Sequence, residues 1–300
     1  MSTLTMEAET PNLLQMLEAR VNDLMENGKV DEARKAANSA VDEARSNSQE
    51  DFLKGTELAL SLEVKADLHR QLGEHKEAQK NYEEALSLFG NDFSQDEAIG
   101  RVCSSLAVLH DLDGDTMMAK SRYERAIACF ERLTPPALLD IADLSNNLAF
   151  VYQTEDNFDQ AETLFLKALR ISHEHLGQDH EQTASLCNNV GSLYFKADYD
   201  DQAHEMHTIA LEIREKVLGE NHLETAQSHA NLALVLHKSD DIDAAKRHFN
   251  RALDAYEGNL TEGREDYEIV AANYRDVLGS LGDNQAIKIL DERTSIKLKA

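Results

Sequence analysis

The chain has 300 residues, 42% of them hydrophobic, and its 56 acidic side chains against 30 basic ones leave a formal charge of −26. A field of that sign repels phosphates and sets nucleic acid aside as a ligand. No apolar run approaches the roughly 20 residues that span a bilayer, and the opening MSTLTMEAETPNLLQ has no basic segment followed by an apolar core, so the expectation is a soluble, acidic, cytoplasmic protein.

Residues 1–10 are polar and read as disordered, and Pro11 suits the first turn of a helix. From there a small residue near the start of every second helix recurs: Ala33, Ala78, Ala119, Ala161, Ala203, Ala245 and Ala286, separated by 45, 41, 42, 42, 42 and 41 positions. A period of this length, made of paired helices, is the signature of a stacked α-solenoid. The pairs fall at about 11–50, 51–92, 95–133, 137–177, 179–219, 221–260 and 263–298, and the regular spacing reads as one array. In the fourth pair Leu138, Ile141, Ala142, Leu144, Leu148, Ala149, Val151 and Tyr152 follow a helical apolar pattern, and Phe158, Ala161, Leu164, Phe165, Ala168, Leu169 and Ile171 repeat it. Turn residues separate the two helices of a pair at Asn27-Gly28, Gly73, Gly114, Asp156-Asn157, Asp198 and Gly282. Pro135-Pro136 interrupts without changing the period and is read as a bend. Acids gather where second helices begin, at Asp31-Glu32, Asp115, Asp159, Asp200-Asp201, Asp243 and Asp283, where they cap free amides and favour the helix dipole. Much of the net charge is accounted for in this way and by solubility; a dedicated basic partner is the alternative. Cys103, Cys129 and Cys187 show no CxxC spacing, and the odd count fits reduced thiols.

Three stretches carry a family resemblance. Leu148-Ala149-x-x-Tyr152, Val190-Gly191-x-x-Tyr194 and Leu232-Ala233-x-x-Leu236 are similar to the Leu-Gly-x-x-Tyr of a tetratricopeptide repeat's first helix. Ala161/Phe165/Ala168 and Ala245/Phe249/Ala252 resemble the Ala-x-x-x-Phe-x-x-Ala of its second, and Ala78/Tyr82/Ala85 and Ala119/Tyr123/Ala126 match with tyrosine as the aromatic. The resemblance implies an all-α protein, a right-handed α-solenoid superhelix of about seven stacked antiparallel helix pairs. The 42-residue period, the NNLA-x-x-Tyr core and the connectors Leu176–His180 and Leu218–His222 look like the kinesin light chain type of repeat over about residues 137–260. Glu181 and Leu223 depart from the proline that often follows the connector histidine.

Asn147, Asn189, Asn231 and Asn273 recur every 42 residues on successive first helices, with Asn146 and Asn188 beside two of them. In the kinesin light chain type, asparagines at this place hold an extended peptide by its backbone. An amide suits that role, because it offers a donor and an acceptor to one peptide unit. The alternative is that these amides satisfy neighbouring helices. Phe150, Phe195 and His237, a turn along, are expected to set specificity. The mixture holds no converging Lys or Arg pair, which argues against a clamp for a C-terminal carboxylate. His204 and His207 stand at i, i+3, but His207 takes the place of the packing aromatic, so no metal site is expected, and His180 and His222 are read as structural. No phosphate loop, nucleophile elbow or calcium loop is present, and no catalysis and no cofactor are expected. The chain reads as a non-enzymatic scaffold for a peptide or partner helix; a self-assembling structural scaffold, which would form homo-oligomers, and a regulatory module of a separate enzyme are the alternatives.

Overall fold

A computed structural model describes residues 13–47, 52–90 and 92–299. The expected disorder of residues 1–10 and the helix start at Pro11 lie outside the described residues. Every regular element among the described residues is helical. The chain divides into two compact units, with the division between Leu144 and Ser145.

Unit 1 contains α1 (Leu13–Glu26), α2 (Val30–Asn47), α3 (Phe52–Gln71), α4 (His75–Phe89), α5 (Asp96–Leu112) and α6 (Thr116–Arg132). It ends in the first part of α7 (Leu138–Thr154). Consecutive helices pair because their small residues let backbones approach: Ala33, Ala78 and Ala119 are completely buried. Tyr82 and Tyr123 fill the aromatic place four residues on. Arg–carboxylate forks then tie one pair to the next. Arg34 donates from both terminal nitrogens to Glu74 (2.9 and 2.5 Å). Arg101 bridges to Glu63 at 2.8 and 3.1 Å. Within the third pair Arg132 grips Asp96 at 2.7 and 2.6 Å.

Unit 2 contains the rest of α7, then α8 (Phe158–Leu176), α9 (Glu181–Lys196), α10 (Asp200–Val217), α11 (Leu223–Lys238), α12 (Ile242–Glu257), α13 (Leu260–Ser280) and α14 (Asn284–Lys299). Ala161, Ala203 and Ala245 are again fully buried, and Ala286 of the last pair is half-buried. Phe165 packs with Ala149, Ala161, Val190 and Leu193, so one ring joins two successive pairs. Burying such a ring is worth about 2–3 kcal/mol.

Local chemistry sets each boundary. The side-chain oxygens of Asp115, Asn157 and Asp241 accept from the backbone N–H groups of Met118, Gln160 and Ala244 at the starts of α6, α8 and α12. The connector histidines do the same work: His180 and His222 accept at Nδ1 from the N–H groups of Gln182 and Glu224. Thr183 and Thr225 then donate to the carbonyls of Gly177 and Gly219, both at 2.9 Å, closing the connectors. Within the pairs the turn needs one left-handed residue. Glycine supplies it at Gly28, Gly73, Gly114 and Gly282, but pairs four to six use Asp156, Asp198 and Asp240 at φ 56°, 62° and 66°.

Candidate functional site

All six of the singled-out asparagines lie in unit 2, on its first helices α7, α9, α11 and α13. The pattern NN at a 42-residue period places the second asparagine of one pair beside the first asparagine of the pair before it. Asn189 donates from Nδ2 to Asn146 Oδ1 (2.9 Å), and Asn231 donates to Asn188 Oδ1 (2.8 Å), each across 43 positions. Asn146 in turn donates to Asn147 Oδ1 at 3.2 Å. The amides therefore stitch consecutive first helices together. Asn147, Asn189 and Asn231 each keep one polar atom without a hydrogen bond among the described residues: Nδ2 of Asn147 and Oδ1 of Asn189 and Asn231. Asn273 makes no hydrogen bond there at all, because 43 positions before it stands Ala230, which has no amide.

The other predicted residues flank this row. Phe150 is 38% exposed and sits edge-on to Phe165, ring centroids 5.0 Å apart. Phe195 carries the Lys238 ammonium over its ring at 5.1 Å, and that ammonium also pairs with Asp198 (2.5 Å) and Asp200 (2.7 Å). Lys238 is thus neutralised where it stands. His237 reaches Ser280 Oγ from Nε2 at 3.2 Å.

Behind the row lie polar groups that the sequence reading did not join to it: His207, read there as a substitute for the packing aromatic, and His229, His248 and Arg214. His207, 2% exposed, places Nδ1 3.0 Å from Asn188 Oδ1. Burial lowers its pKa to about 4, and the nearby charge of Arg214 and His204 adds to the effect. His229 and His248 face each other through their Nδ1 atoms at 2.9 Å. Burial pulls His229 down to about 4 and also lowers His248. Arg214, 2% exposed, bonds the Glu224 carbonyl (2.9 Å), Ser228 Oγ (2.8 Å) and Ser185 Oγ (3.2 Å) and pairs with the Glu224 carboxylate at 2.5 Å. Burial lowers even this guanidinium's pKa. The signal that would have found Arg214 is its repeat position, where the other pairs carry Phe130, Ser172 and Tyr256. Among the described residues no group of three or more metal-ligating side chains occurs. None of their helices is long and apolar enough to cross a membrane.

With this geometry in hand, comparison with known proteins identifies the architecture. The tetratricopeptide repeat family model matches residues 57–132, 140–208 and 200–258. The chain belongs to the tetratricopeptide repeat family. BtubC (BKLC) of P. vanneervenii is similar at 26% identity and a TM-score of 0.62, over 78% of this chain and 92% of that one. RapI in its apo form is similar at 16% identity and a TM-score of 0.60, over 80% and 96% of the two chains. A kinesin-light-chain protein of Podosopora anserina with nearly identical TPR-like repeats gives 17% identity and a TM-score of 0.56, over 70% and 98%. The search of curated proteins gives no match.

Proposed function

We propose that unit 2 is a protein-interaction module of the kinesin light chain type, holding an extended peptide along the asparagine row of α7, α9 and α11. The observation that carries this reading is the row itself. Three amides on the first helices of consecutive pairs are oriented by side-chain bonds, and each retains one unbonded polar atom. Adjacent helices stand about 8–10 Å apart, and an extended chain advances about 3.4 Å per residue, so one asparagine meets about every third peptide unit. Each bond would contribute about 0.5–1.5 kcal/mol. Useful affinity therefore also draws on Phe150 and Phe195 beside the row. The likeness to BtubC (BKLC) of P. vanneervenii at 26% identity, and the shared fold of the Podosopora kinesin-light-chain protein, support this type of repeat. The function needs no catalytic group and no cofactor.

The test selects peptides from a displayed random-sequence library on the wild-type protein and measures the enriched peptide against Asn147→Ala, Asn189→Ala and Asn231→Ala combined. Binding should fall at least tenfold while the helical circular dichroism is retained. Loss of the fold together with binding would assign the amides to structure alone. A second reading rests on α14, where Ile289 and Ile296, seven residues apart on one face, are 59% and 68% exposed. Self-association through that helix predicts a mass that rises with concentration in light scattering.

A further inference from the structure

We propose that His207 is a positioning residue for the peptide face, holding Asn188 from the second helix of its own pair and, through Asn188, setting the orientation of Asn231 on the next first helix. The inference rests on the reading of the asparagine row given above and adds a residue that row does not contain.

The repeat pattern shows why His207 differs from its counterparts. Four residues after the anchor alanine, other pairs place Tyr82, Tyr123, Phe165 and Phe249, all buried rings. Pair five places an imidazole there, and the backbone makes room for it. A Cβ at Gly191 would stand 2.9 Å from His207 Cε1 and Nδ1, tighter than real Cβ contacts. The equivalent positions in pairs four and six are Ala149 and Ala233. Glycine at 191 thus lets the imidazole lie flat against α9, with Nδ1 directed at Asn188.

Asn188 is 7% exposed, and its Oδ1 receives two donors from different helices: His207 of α10 at 3.0 Å and Asn231 of α11 at 2.8 Å. An amide oxygen only accepts, so Nδ1 of His207 carries the proton. Burial keeps the ring neutral at ordinary pH, with a single N–H to give. With Asn188 fixed from behind, Asn231 must turn its Nδ2 inward and leave its Oδ1 to accept. The face at Asn231 is thereby an acceptor for a partner's N–H. A satisfied core histidine would end its influence inside the core; here the hydrogen-bond chain runs through to the face.

The next pair is an internal control. There Phe249 stands in the place of His207 and Ala230 in the place of Asn188, and Asn273, in the place of Asn231, has no hydrogen-bond partner among the described residues. When both members of the linkage are missing, the outer asparagine is unheld.

The experiment reads side-chain amide exchange and imidazole nitrogen shifts by NMR on the full chain. In wild type the Asn231 Nδ2 protons should exchange at least tenfold more slowly than those of Asn273, and His207 should be protonated at Nδ1. Pair four shows the intermediate case, with Phe165 in the place of His207 and Asn146 still accepting from Asn189 at 2.9 Å. His207→Phe, which removes the donor from behind but keeps the acceptor, should therefore speed Asn231 exchange at least threefold, to the rate of Asn189. Asn188→Ala, which copies Ala230 and removes the acceptor itself, should bring Asn231 exchange to within about threefold of Asn273, and serves if His207→Phe does not fold. Wild-type exchange at Asn231 in either folded variant, or an Nε2–H tautomer at His207, overturns the linkage. The library-selected peptide separates this from the broader reading. If exchange responds as expected and the peptide is indifferent to Asn231→Ala, the linkage stands and the peptide reading falls. If Asn231→Ala weakens the peptide tenfold but His207→Phe leaves both exchange and affinity unchanged, the linkage alone falls.

Discussion

Acidification should loosen α9–α12 before it touches unit 1, and the buried histidines give the size of the effect. His207 and His229 each titrate at about 4 in the folded protein, against about 6.5 in an unfolded chain. Between these values the unfolded chain holds more protons, so their contribution is complete above about pH 6.5 and is lost as pH falls toward 4. From pH 7 to pH 5 each group should cost about 2 kcal/mol, or about 4 kcal/mol for the two. That is a large fraction of the 5–15 kcal/mol typical of a domain. The surrounding cations reinforce the sign: Arg214 and His204 act on His207, while His248 and Arg251 act on His229. The Glu215 carboxylate, 3.6 Å from His229 Nε2, works against them but does not outweigh burial. Arg247, Arg251 and His204 lower His248 further, and Asp241 alone opposes them. The carboxylates of Glu74 and Asp96 in unit 1, held low by Arg34 and Arg132, remain ionised at pH 5. Backbone hydrogen exchange read by mass spectrometry, corrected for intrinsic rates, resolves the helices separately. Protection in α9–α12 should fall at least 30-fold between pH 7 and pH 5, with α1–α6 changing less than threefold. His207→Phe should remove about half of the α9–α12 loss in logarithmic terms. Equal pH dependence in both units, or an undiminished loss in His207→Phe, would refute the reasoning.

Arg214→Ala should destabilise unit 2 by about 3 kcal/mol in urea denaturation, because Ser228 loses its charged partner and a large side chain leaves a void. Gly191→Ala should cost about 1–3 kcal/mol, since the new Cβ meets the His207 ring at 2.9 Å, and a double-mutant cycle with His207→Ala should recover most of it. Asp156→Gly and Asp240→Gly place in pairs four and six the residue that pairs one to three and seven already use at the left-handed turn. Each should raise stability by about 0.5–1 kcal/mol, read as a higher melting temperature.

The period of anchor alanines was enough to give the all-helical class, the order of the helices and the turns between them. The reason is that these depend on local rules: a small residue where helices cross, a capping side chain at a start, a left-handed residue at a turn. Asp115 and Asp283 are caps in the structure as the sequence suggested. By contrast, α8 and α12 are capped by Asn157 and Asp241, two residues before the acids Asp159 and Asp243 that were expected to do so, because the cap is the residue directly after the left-handed turn position. The asparagine row was equally visible as a spacing. What the spacing left open was where each amide points, because a donor's partner 43 residues away depends on how two helices settle against each other. The tertiary structure decided that: Asn189 and Asn231 turn their nitrogens to the preceding pair, and Asn273 finds only Ala230 there. It also decided the meaning of two departures from the repeat. His207 reads in sequence as a poor aromatic, and Arg214 as a charge among many. Burial turns the first into a neutral donor behind the row and the second into a guanidinium shared by three helices. Residue types repeat along the chain by local rules; protonation and hydrogen-bond direction follow from the removal of water, which only the packed helices accomplish.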